Sequence, residues 1–209
     1  AAEDPVARYA AARTLAREFG CRVTGIDLTE TFCRIAQRLS ADVGLASATR
    51  FACASVDALP LDDATWPWVW TQHAIMNVPD TRGMYTEIAR ALAPGGRFVH
   101  HDIVAGPDGA PYFPVPWASA PAGSFLQPPR SICEQLDAAG LVRRDWRDLT
   151  ADVLAKIEAT RANRAAGEPE SPGPHLVLGP SFHEMRDNLG RSLEDRRARV
   201  VQGIWEKPI

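Results

Sequence analysis

Apolar and polar positions alternate along this chain with two periods, and the alternation predicts a succession of strands and helices. Residues 21–27 form a short apolar-rich run that favours a buried strand. The next residues place Phe32, Leu39 and other apolar side chains on one helical face, and Gly44 is a typical helix stop. The same patterns predict strands at 50–55, 67–72, 97–104, 141–149 and 198–206, and helices at 5–18, 30–43, 84–92, 128–136, 150–166 and from 181.

This order of elements predicts a doubly wound α/β fold. Parallel strands need a helix to cross from one strand to the next, so alternating strands and helices indicate a parallel sheet that is covered by helices. A chain of 209 residues is long enough to bury one substantial core, and we expect residues 1–209 to form a single domain.

Residues 105–129 contain seven prolines and are predicted to form a long loop rather than a helix or a central strand. The segment also carries four aromatic residues: Tyr112, Phe113, Trp117 and Phe125. Two interpretations stay open, because such a loop either closes over a site as a lid or is only pinned to the body of the domain by its aromatic side chains. A second loop, at residues 167–174, is expected to be mobile.

Composition and charge narrow the classes of partner. A net charge of -3, without a large basic cluster, argues against a nucleic-acid partner. No apolar run reaches the roughly 18 residues that span a bilayer, so we expect no membrane partner. The first residues lack the basic and apolar regions of a signal peptide, and we therefore expect a cytoplasmic protein.

Metal and disulfide sites are not predicted. The cysteines are Cys21, Cys33, Cys53 and Cys133. They form no Cys-x-x-Cys pair and have no histidine at metal-ligand spacing, which predicts buried, reduced thiols. A metal site built from His73, His101 and Asp102 is not favoured either, because their spacing does not distinguish it from separate side chains.

Acidic residues follow two of the predicted strands. Asp27 closes the strand at 21–27, and a carboxylate at such a strand end can accept hydrogen bonds from both hydroxyls of a ribose. The alternative is that Asp27 caps the next helix and that Asp57, after the following strand, belongs to an ordinary turn. Because the carboxyl ends of parallel strands meet at one edge, the two residues together favour a cofactor site.

Four segments carry a resemblance to a known family. They are Gly25–Asp27, Val56–Pro60, Trp70–His73 and Leu92–Arg97. In this order the chain resembles the class I S-adenosylmethionine-dependent methyltransferases, and most of all the small-molecule enzymes typified by sarcosine/dimethylglycine and phosphoethanolamine methyltransferases. The resemblance covers nearly the whole chain. It implies a Rossmann-like, mostly parallel sheet with helices on both faces and an antiparallel C-terminal strand.

The resemblance also implies a set of cofactor-binding residues for S-adenosyl-L-methionine. Asp27 would bind the ribose hydroxyls, with Leu28 close to the adenine. Asp57 would accept from the adenine amino group, and the Ala58 amide would donate to a ring nitrogen. Gln72, at the end of the fourth family strand, would lie beside the methionine part of the cofactor.

His73 is the candidate catalytic base, because an imidazole can take a proton from an amine, a phenol or an acidic carbon near neutral pH. The plain alternative is a histidine that only forms a hydrogen-bonded wall. The amine-methylating relatives typically have an aspartate followed four residues later by a histidine, whereas this chain has His73 and Asn77. We predict substrate contacts from Asn77, Asp102 and Trp117, and packing or surface roles for His100 and His101.

A Gly-rich turn after a first strand is implied by the resemblance, yet residues 1–20 contain no glycine before Gly20. That strand and turn either lie outside this sequence, have been lost, or come from another chain. Two hypotheses for function follow. The first is a methyltransferase that acts on a small-molecule oxygen, nitrogen or carbon nucleophile, with homodimer formation left open. The second is a methyltransferase-fold protein that serves as a binding subunit or as a non-methylating enzyme such as a cyclase.

Overall fold

The computed structural model describes residues 10–167, 175, 179 and 181–209. By its internal contacts the chain divides into two compact units, which we call the N-terminal unit (residues 2–61) and the C-terminal unit (residues 62–209). This division by contacts does not test the expected single domain over residues 1–209, which stays a prediction. Most of the loop at 167–174 lies outside the described residues.

Among its described residues the N-terminal unit contains two parallel strands and two helices. In chain order these are α1 (Ala10–Phe19), β1 (Val23–Asp27), α2 (Glu30–Asp42) and β2 (Thr49–Cys53). Helix α2 buries a face of small side chains, Cys33, Ala36 and Ser40. Strands β1 and β2 run parallel with Asp27 opposite Cys53, so both strands end at the same edge of their sheet.

The C-terminal unit contains a four-stranded sheet in the order β3-β4-β6-β5. Its elements are β3 (Trp66–Gln72), a 3-10 helix (Ile75–Asn77), α3 (Thr81–Ala91), β4 (Leu92–Ala105), a 3-10 helix (Pro121–Gly123), α4 (Pro129–Ala138), β5 (Val142–Asp148), α5 (Thr150–Ala165), α6 (Ser181–Glu194) and β6 (Ala198–Glu206). Strand β3 is parallel to β4, and β6 is antiparallel to both β4 and β5. The predicted α/β class with an antiparallel C-terminal strand is confirmed.

The continuity of the sheet differs from the prediction. Among the described residues the strands form two separate sheets, and β1 and β3 are each the last strand of their own sheet. Strand β3 consequently exposes Trp68 and Trp70, with exposed fractions of 57% and 44%. Side chains of this size are expected to be covered in a central strand, so their exposure follows from the edge position of β3.

Two element boundaries also lie outside the predicted ones. Helix α3 begins at Thr81 rather than residue 84, because the Asp80 carboxylate accepts a hydrogen bond from the Gly83 amide at 3.0 Å and caps the helix. Strand β4 begins at Leu92, which directly follows the last residue of α3 and pairs with Trp66. The proline and glycines of this stretch therefore lie within a long, irregular strand.

The Pro-rich segment is anchored to the C-terminal unit by hydrogen bonds and by burial. Trp117 is only 4% exposed, belongs to the hydrophobic core and donates through Nε1 to Ser124 Oγ at 2.9 Å. The Phe125 amide donates to the Met76 carbonyl at 2.9 Å. These contacts favour the second interpretation of the segment, a loop pinned by aromatic side chains.

Tyr112 makes another anchor of the same segment. Two guanidinium groups lie over its ring, with the Cζ atoms of Arg191 and Arg197 at 3.8 and 4.5 Å from the ring centroid. Its hydroxyl donates to Asp195 at 2.7 Å, and its amide donates to Ser192 Oγ at 2.9 Å. The end of α6 and the start of β6 thus hold the loop from the other side.

The cysteines only partly follow the prediction of buried thiols. All four are free, and Cys33 is buried while Cys133 is half-buried. Cys21 and Cys53 are exposed, because they lie before β1 and at the last position of β2, at the margins of a two-stranded sheet.

In the part of the chain that the structure describes, no three His, Cys, Asp or Glu side chains are grouped to hold a metal. None of the described helices is both long and apolar enough to cross a membrane.

A close approach between β4 and β6 depends on a glycine. His100 is fully buried, stacks on Phe98 with ring centroids 5.6 Å apart, and lies opposite Gly203 in the neighbouring strand. A Cβ atom at Gly203 would be 2.3 Å from His100 Nε2 and 3.1 Å from Trp205 Nε1. The absent side chain at Gly203 is what lets the imidazole lie flat across β6.

We predict that Gly203→Ala destabilises the protein by about 1–3 kcal/mol, because the added Cβ would lie 2.3 Å from the fully buried His100 ring, so that the ring or the strand must shift. Urea unfolding followed by circular dichroism measures the change. Gly123→Ala is the matched control, since its Cβ would meet only the Ala118 Cβ at an ordinary 3.6 Å. Equal stability of the two variants would contradict this account of the β4–β6 contact.

Candidate functional site

Asp27 holds the turn between β1 and α2 in the N-terminal unit. It is the last residue of β1 and is 8% exposed. Its Oδ1 accepts a hydrogen bond from the Thr29 amide at 2.7 Å, and its carbonyl accepts from the Ala54 amide at 3.0 Å. The Asp27 carboxylate therefore closes the turn ahead of α2 and is not the helix cap, since Thr29 occupies the N-cap position. A ribose-binding role would use the same carboxylate in addition.

Asp57 and Ala58 lie in an exposed turn that follows the neighbouring strand β2. The Ala58 amide donates to the Ser55 carbonyl at 3.2 Å, which closes this turn. Leu28, directly after Asp27, is 74% exposed and presents an apolar surface at the same edge. The N-terminal unit thus brings four predicted cofactor residues to the carboxyl ends of two adjacent parallel strands.

In the C-terminal unit the chain makes an unusual turn where β3 ends. Gln72 is the last residue of β3, and His73 follows with a φ of 50°, in the left-handed region. Such a conformation is uncommon for a residue other than glycine and persists only where the surroundings impose it. Here the His73 amide donates to the His101 carbonyl at 2.9 Å, which fixes the backbone on one side.

The Asp102 side chain holds the same turn through hydrogen bonds. Its side chain is fully buried, and Oδ1 accepts from the Ala74 and Ile75 amides at 2.7 and 3.1 Å. Oδ2 accepts from Thr71 Oγ1 at 3.3 Å. Burial raises the pKa of Asp102 to about 7, against the lowering effect of these three hydrogen bonds. A carboxylate so placed supports the turn, and this position does not favour the predicted contact with a substrate.

His73 is a neutral side chain at physiological pH. Although part of it is exposed, the surrounding protein lowers its pKa to about 4, mainly by desolvating the imidazolium and to a lesser extent through His101. The rings of His73 and His101 meet edge to face, with centroids 5.1 Å apart and an angle of 83° between the planes. A neutral imidazole has an acceptor nitrogen that can take up a proton, but the lowered pKa also makes His73 a weaker base than an unperturbed histidine.

The other two predicted substrate residues have different positions. Asn77 ends the 3-10 helix that follows His73 and is half-buried, and its contact with a substrate stays a prediction. Trp117 belongs to the hydrophobic core, with its indole N–H donating to Ser124. A core tryptophan with a satisfied N–H does not favour the predicted substrate contact.

The sequence predicts a packing or surface role for His101, and the structure gives this residue a more specific position. It lies opposite Gln72 across β3 and β4 and opposite Gln202 across β4 and β6. Burial and the positive charge of Lys156 lower its pKa, while a hydrogen bond with Gln202 acts in the other direction. The sequence does contain a signal for this position of His101, since polar residues lie at the ends of two strands that are predicted to be parallel neighbours.

Comparison with known proteins gives a sequence match over part of the chain. Residues 8–100 match the methyltransferase domain. The sarcosine/dimethylglycine N-methyltransferase of Halorhodospira halochloris is 28% identical over 97 residues, which are 46% of this chain and 35% of that protein. The dimethylglycine N-methyltransferase of Parasynechococcus marenigrum is 35% identical over 95 residues, covering 46% of this chain and 34% of that protein. The match thus spans about a third of the length of these relatives.

Solved structures share the fold over almost the whole chain. Geranyl diphosphate C-methyltransferase from Streptomyces coelicolor A3(2) has a TM-score of 0.76 at 21% identity, over 96% of this chain and 69% of that one. A putative sarcosine dimethylglycine methyltransferase from Galdieria sulphuraria has a TM-score of 0.73 at 16% identity, over 97% of this chain and 76% of that one. The [4+2]-cyclase SpnF, at 22% identity, has a TM-score of 0.71 over 95% of this chain and 70% of that one. Sequence and fold together confirm the resemblance to the S-adenosylmethionine-dependent methyltransferases, with the match to the methyltransferase domain running over residues 8–100.

Proposed function

We propose that this protein is an S-adenosylmethionine-dependent methyltransferase that acts on a small-molecule oxygen, nitrogen or carbon nucleophile. The observation that carries the proposal is the position of Asp27 and Asp57 after neighbouring parallel strands, at one edge of the N-terminal unit. Ligands of doubly wound α/β domains bind at this edge of the sheet. The methyltransferase-domain match over residues 8–100 and the named methyltransferase relatives support the same reaction class.

The side chains of the N-terminal unit suit the adenosine part of the cofactor. An ionised carboxylate is an acceptor only, which fits the hydroxyls of a ribose at Asp27 and the amino group of an adenine at Asp57. Leu28 is exposed next to Asp27 and offers an apolar surface for a flat base. We assign Ala58 to the base through its amide, which would exchange the Ser55 carbonyl for a ring nitrogen of the adenine. We assign Gln72 to the methionine part. When bound, the cofactor supplies a methyl group on a positively charged sulfur.

His73 is assigned the proton-accepting role. The reaction requires that the nucleophile be held in line with the methyl carbon and that its proton be removed. Above about pH 4 the ring of His73 is neutral, so it can accept that proton and then release it to water from its exposed side. Asn77, four residues later, is assigned to orient a polar substrate through its amide.

The proposal also covers the class of substrate, the partners, the cellular location and the oligomeric state. The relatives are named for methylation of sarcosine, dimethylglycine, tocopherol and phosphoethanolamine, which are all small molecules. A net charge of -3 agrees with a protein that does not bind nucleic acid. A cytoplasmic location and a homodimer stay predictions. The second hypothesis is a methyltransferase fold without methyl transfer. The fold shared with SpnF supports it, but none of the assigned site residues does.

Binding of S-adenosylhomocysteine tests the cofactor site by isothermal titration. We expect saturable binding in the micromolar range for the unchanged protein. Asp27→Ala should weaken it about 10- to 100-fold, because hydrogen bonds to a charged acceptor are lost. Asp27→Asn is the matched control for the turn, since an amide oxygen can still accept from Thr29.

The two Asp27 variants separate the two roles of this residue. If both weaken binding, the carboxylate contacts the ribose, whereas weakening by Asp27→Ala alone assigns Asp27 only to the turn. Absence of heat for the unchanged protein at millimolar ligand would reject the methyltransferase and favour the second hypothesis.

His73→Asn tests the proposed base, because asparagine tolerates the left-handed backbone at this position and carries no titratable group. We expect turnover to fall about 100-fold or more while the affinity for S-adenosylhomocysteine is unchanged. The assay follows S-adenosylhomocysteine release with sarcosine, dimethylglycine and phosphoethanolamine as acceptors.

The pH profile gives an independent reading of the same residue. A base is active when it is unprotonated, so activity that depends on His73 should be flat from roughly pH 6 to 8 and fall as the pH drops towards 4. Unchanged turnover in His73→Asn would remove His73 from the proton-accepting role, even if the cofactor still binds.

A further inference from the structure

Two histidine side chains lie in contact where β3 ends beside β4, and only one of them has a role in the proposed reaction. The His73 and His101 rings meet edge to face with centroids 5.1 Å apart. The same two residues are joined through the backbone, because the His73 amide donates to the His101 carbonyl at 2.9 Å. His101 is therefore the residue that touches His73 both along its main chain and across its ring.

His101 also has a polar neighbour in the next strand. Strand β6 places Gln202 directly opposite His101 in the antiparallel register, and the Gln202 side chain favours the charged form of the imidazole. The His101 side chain is half-buried. A half-buried ring on a strand with a neighbour on each side can in turn restrict a neighbouring ring, in the way that a second layer of side chains orients catalytic groups.

Charge also links the two rings. A positive charge on either imidazole disfavours a positive charge on the other, because the centroids are only 5.1 Å apart. Lys156 of α5 adds a further positive charge near His101, whereas Gln202 of β6 favours the charged form through its hydrogen bond. Asp102 is the next residue in β4, but its carboxylate is engaged with the turn amides and Thr71.

We propose that His101 is a positioning residue that orients the His73 ring and restricts the pair to a single proton. The inference rests on the proposed function, in which His73 accepts a proton from the nucleophile. When the nucleophile loses its proton, a new N–H bond forms on His73, which becomes a positively charged imidazolium. A neutral His101 does not repel this charge. The proton then leaves from His73 to water, and no other group changes its oxidation state or bonding.

Nuclear magnetic resonance titration of the full chain tests the link without any need for turnover. The sequence has five histidines, and the signal of His73 is the one that disappears in His73→Asn. We expect the titration midpoint of His73 to rise in His101→Phe, which keeps an aromatic ring of similar shape but removes the charge. An unchanged midpoint would overturn the proposal, because a ring that only packs against His73 is replaced by phenylalanine without electrostatic effect.

A second variant serves if His101→Phe does not fold. His101→Gln removes the titratable ring and keeps a polar side chain opposite Gln202. The His73 midpoint should rise in this variant too, and an unchanged midpoint would again overturn the proposal.

Kinetics distinguishes failure of this inference from failure of the proposed function. For His101→Phe we expect kcat to fall about 10-fold, with the affinity for S-adenosylhomocysteine within about 2-fold, because misorientation of a catalytic group affects the chemical step. The acid limb of the pH profile should move to higher pH together with the His73 midpoint. Loss of cofactor binding in the unchanged protein, with the titration link intact, would reject only the methyltransferase. Normal turnover in His101→Phe with an unmoved acid limb would reject only the positioning role.

Discussion

The buried carboxylate of Asp102 is the constraint on which the candidate site of the C-terminal unit depends. Two backbone amides of the segment that follows β3 and one hydroxyl near the end of β3 donate to it. A buried amide without an acceptor costs about 1–3 kcal/mol, so these donors would not remain in this place without the carboxylate. Because burial alone disfavours the ionised form, the hydrogen bonds and the charge at Asp102 stabilise each other.

The parallel register explains how separate segments of sequence supply neighbouring functional groups. Asp27 stands opposite Cys53 in one sheet, and Gln72 stands opposite His101 in the other. In each case the chain turns away just beyond the last hydrogen-bonded pair, and polar side chains occupy the turn. The chemistry of both units is therefore located by where the strands end and not by the helices between them.

Much of the fold was predictable from apolar periodicity. Strand β6 was found at the expected residues, and α2, β1 and β5 lie within two residues of the predicted bounds. These elements have strong patterns and clear stops, so local information is sufficient. The early start of β4 was not predicted, because its first residues include Pro94 and two glycines, which normally interrupt a strand.

The candidate site was predictable in position but not in the roles of its residues. Periodicity indicates that Asp27 and His73 lie at strand ends, yet it does not report which donors reach Asp102 or that Trp117 is covered. Those facts depend on contacts between segments distant in sequence. The exposure of Trp68 and Cys53 has the same cause, since a strand's pattern does not say whether another strand lies beside it.

The left-handed turn at residue 73 has a consequence for which amino acids evolution can sample there. Apart from glycine, this backbone geometry is best tolerated by asparagine, aspartate and histidine, whereas β-branched side chains are strongly disfavoured. These three favoured side chains each carry a hydrogen-bond acceptor. Ala64 and Arg196 show that other residues also adopt a positive φ in this chain, so the backbone at residue 73 favours an acceptor group there without requiring one.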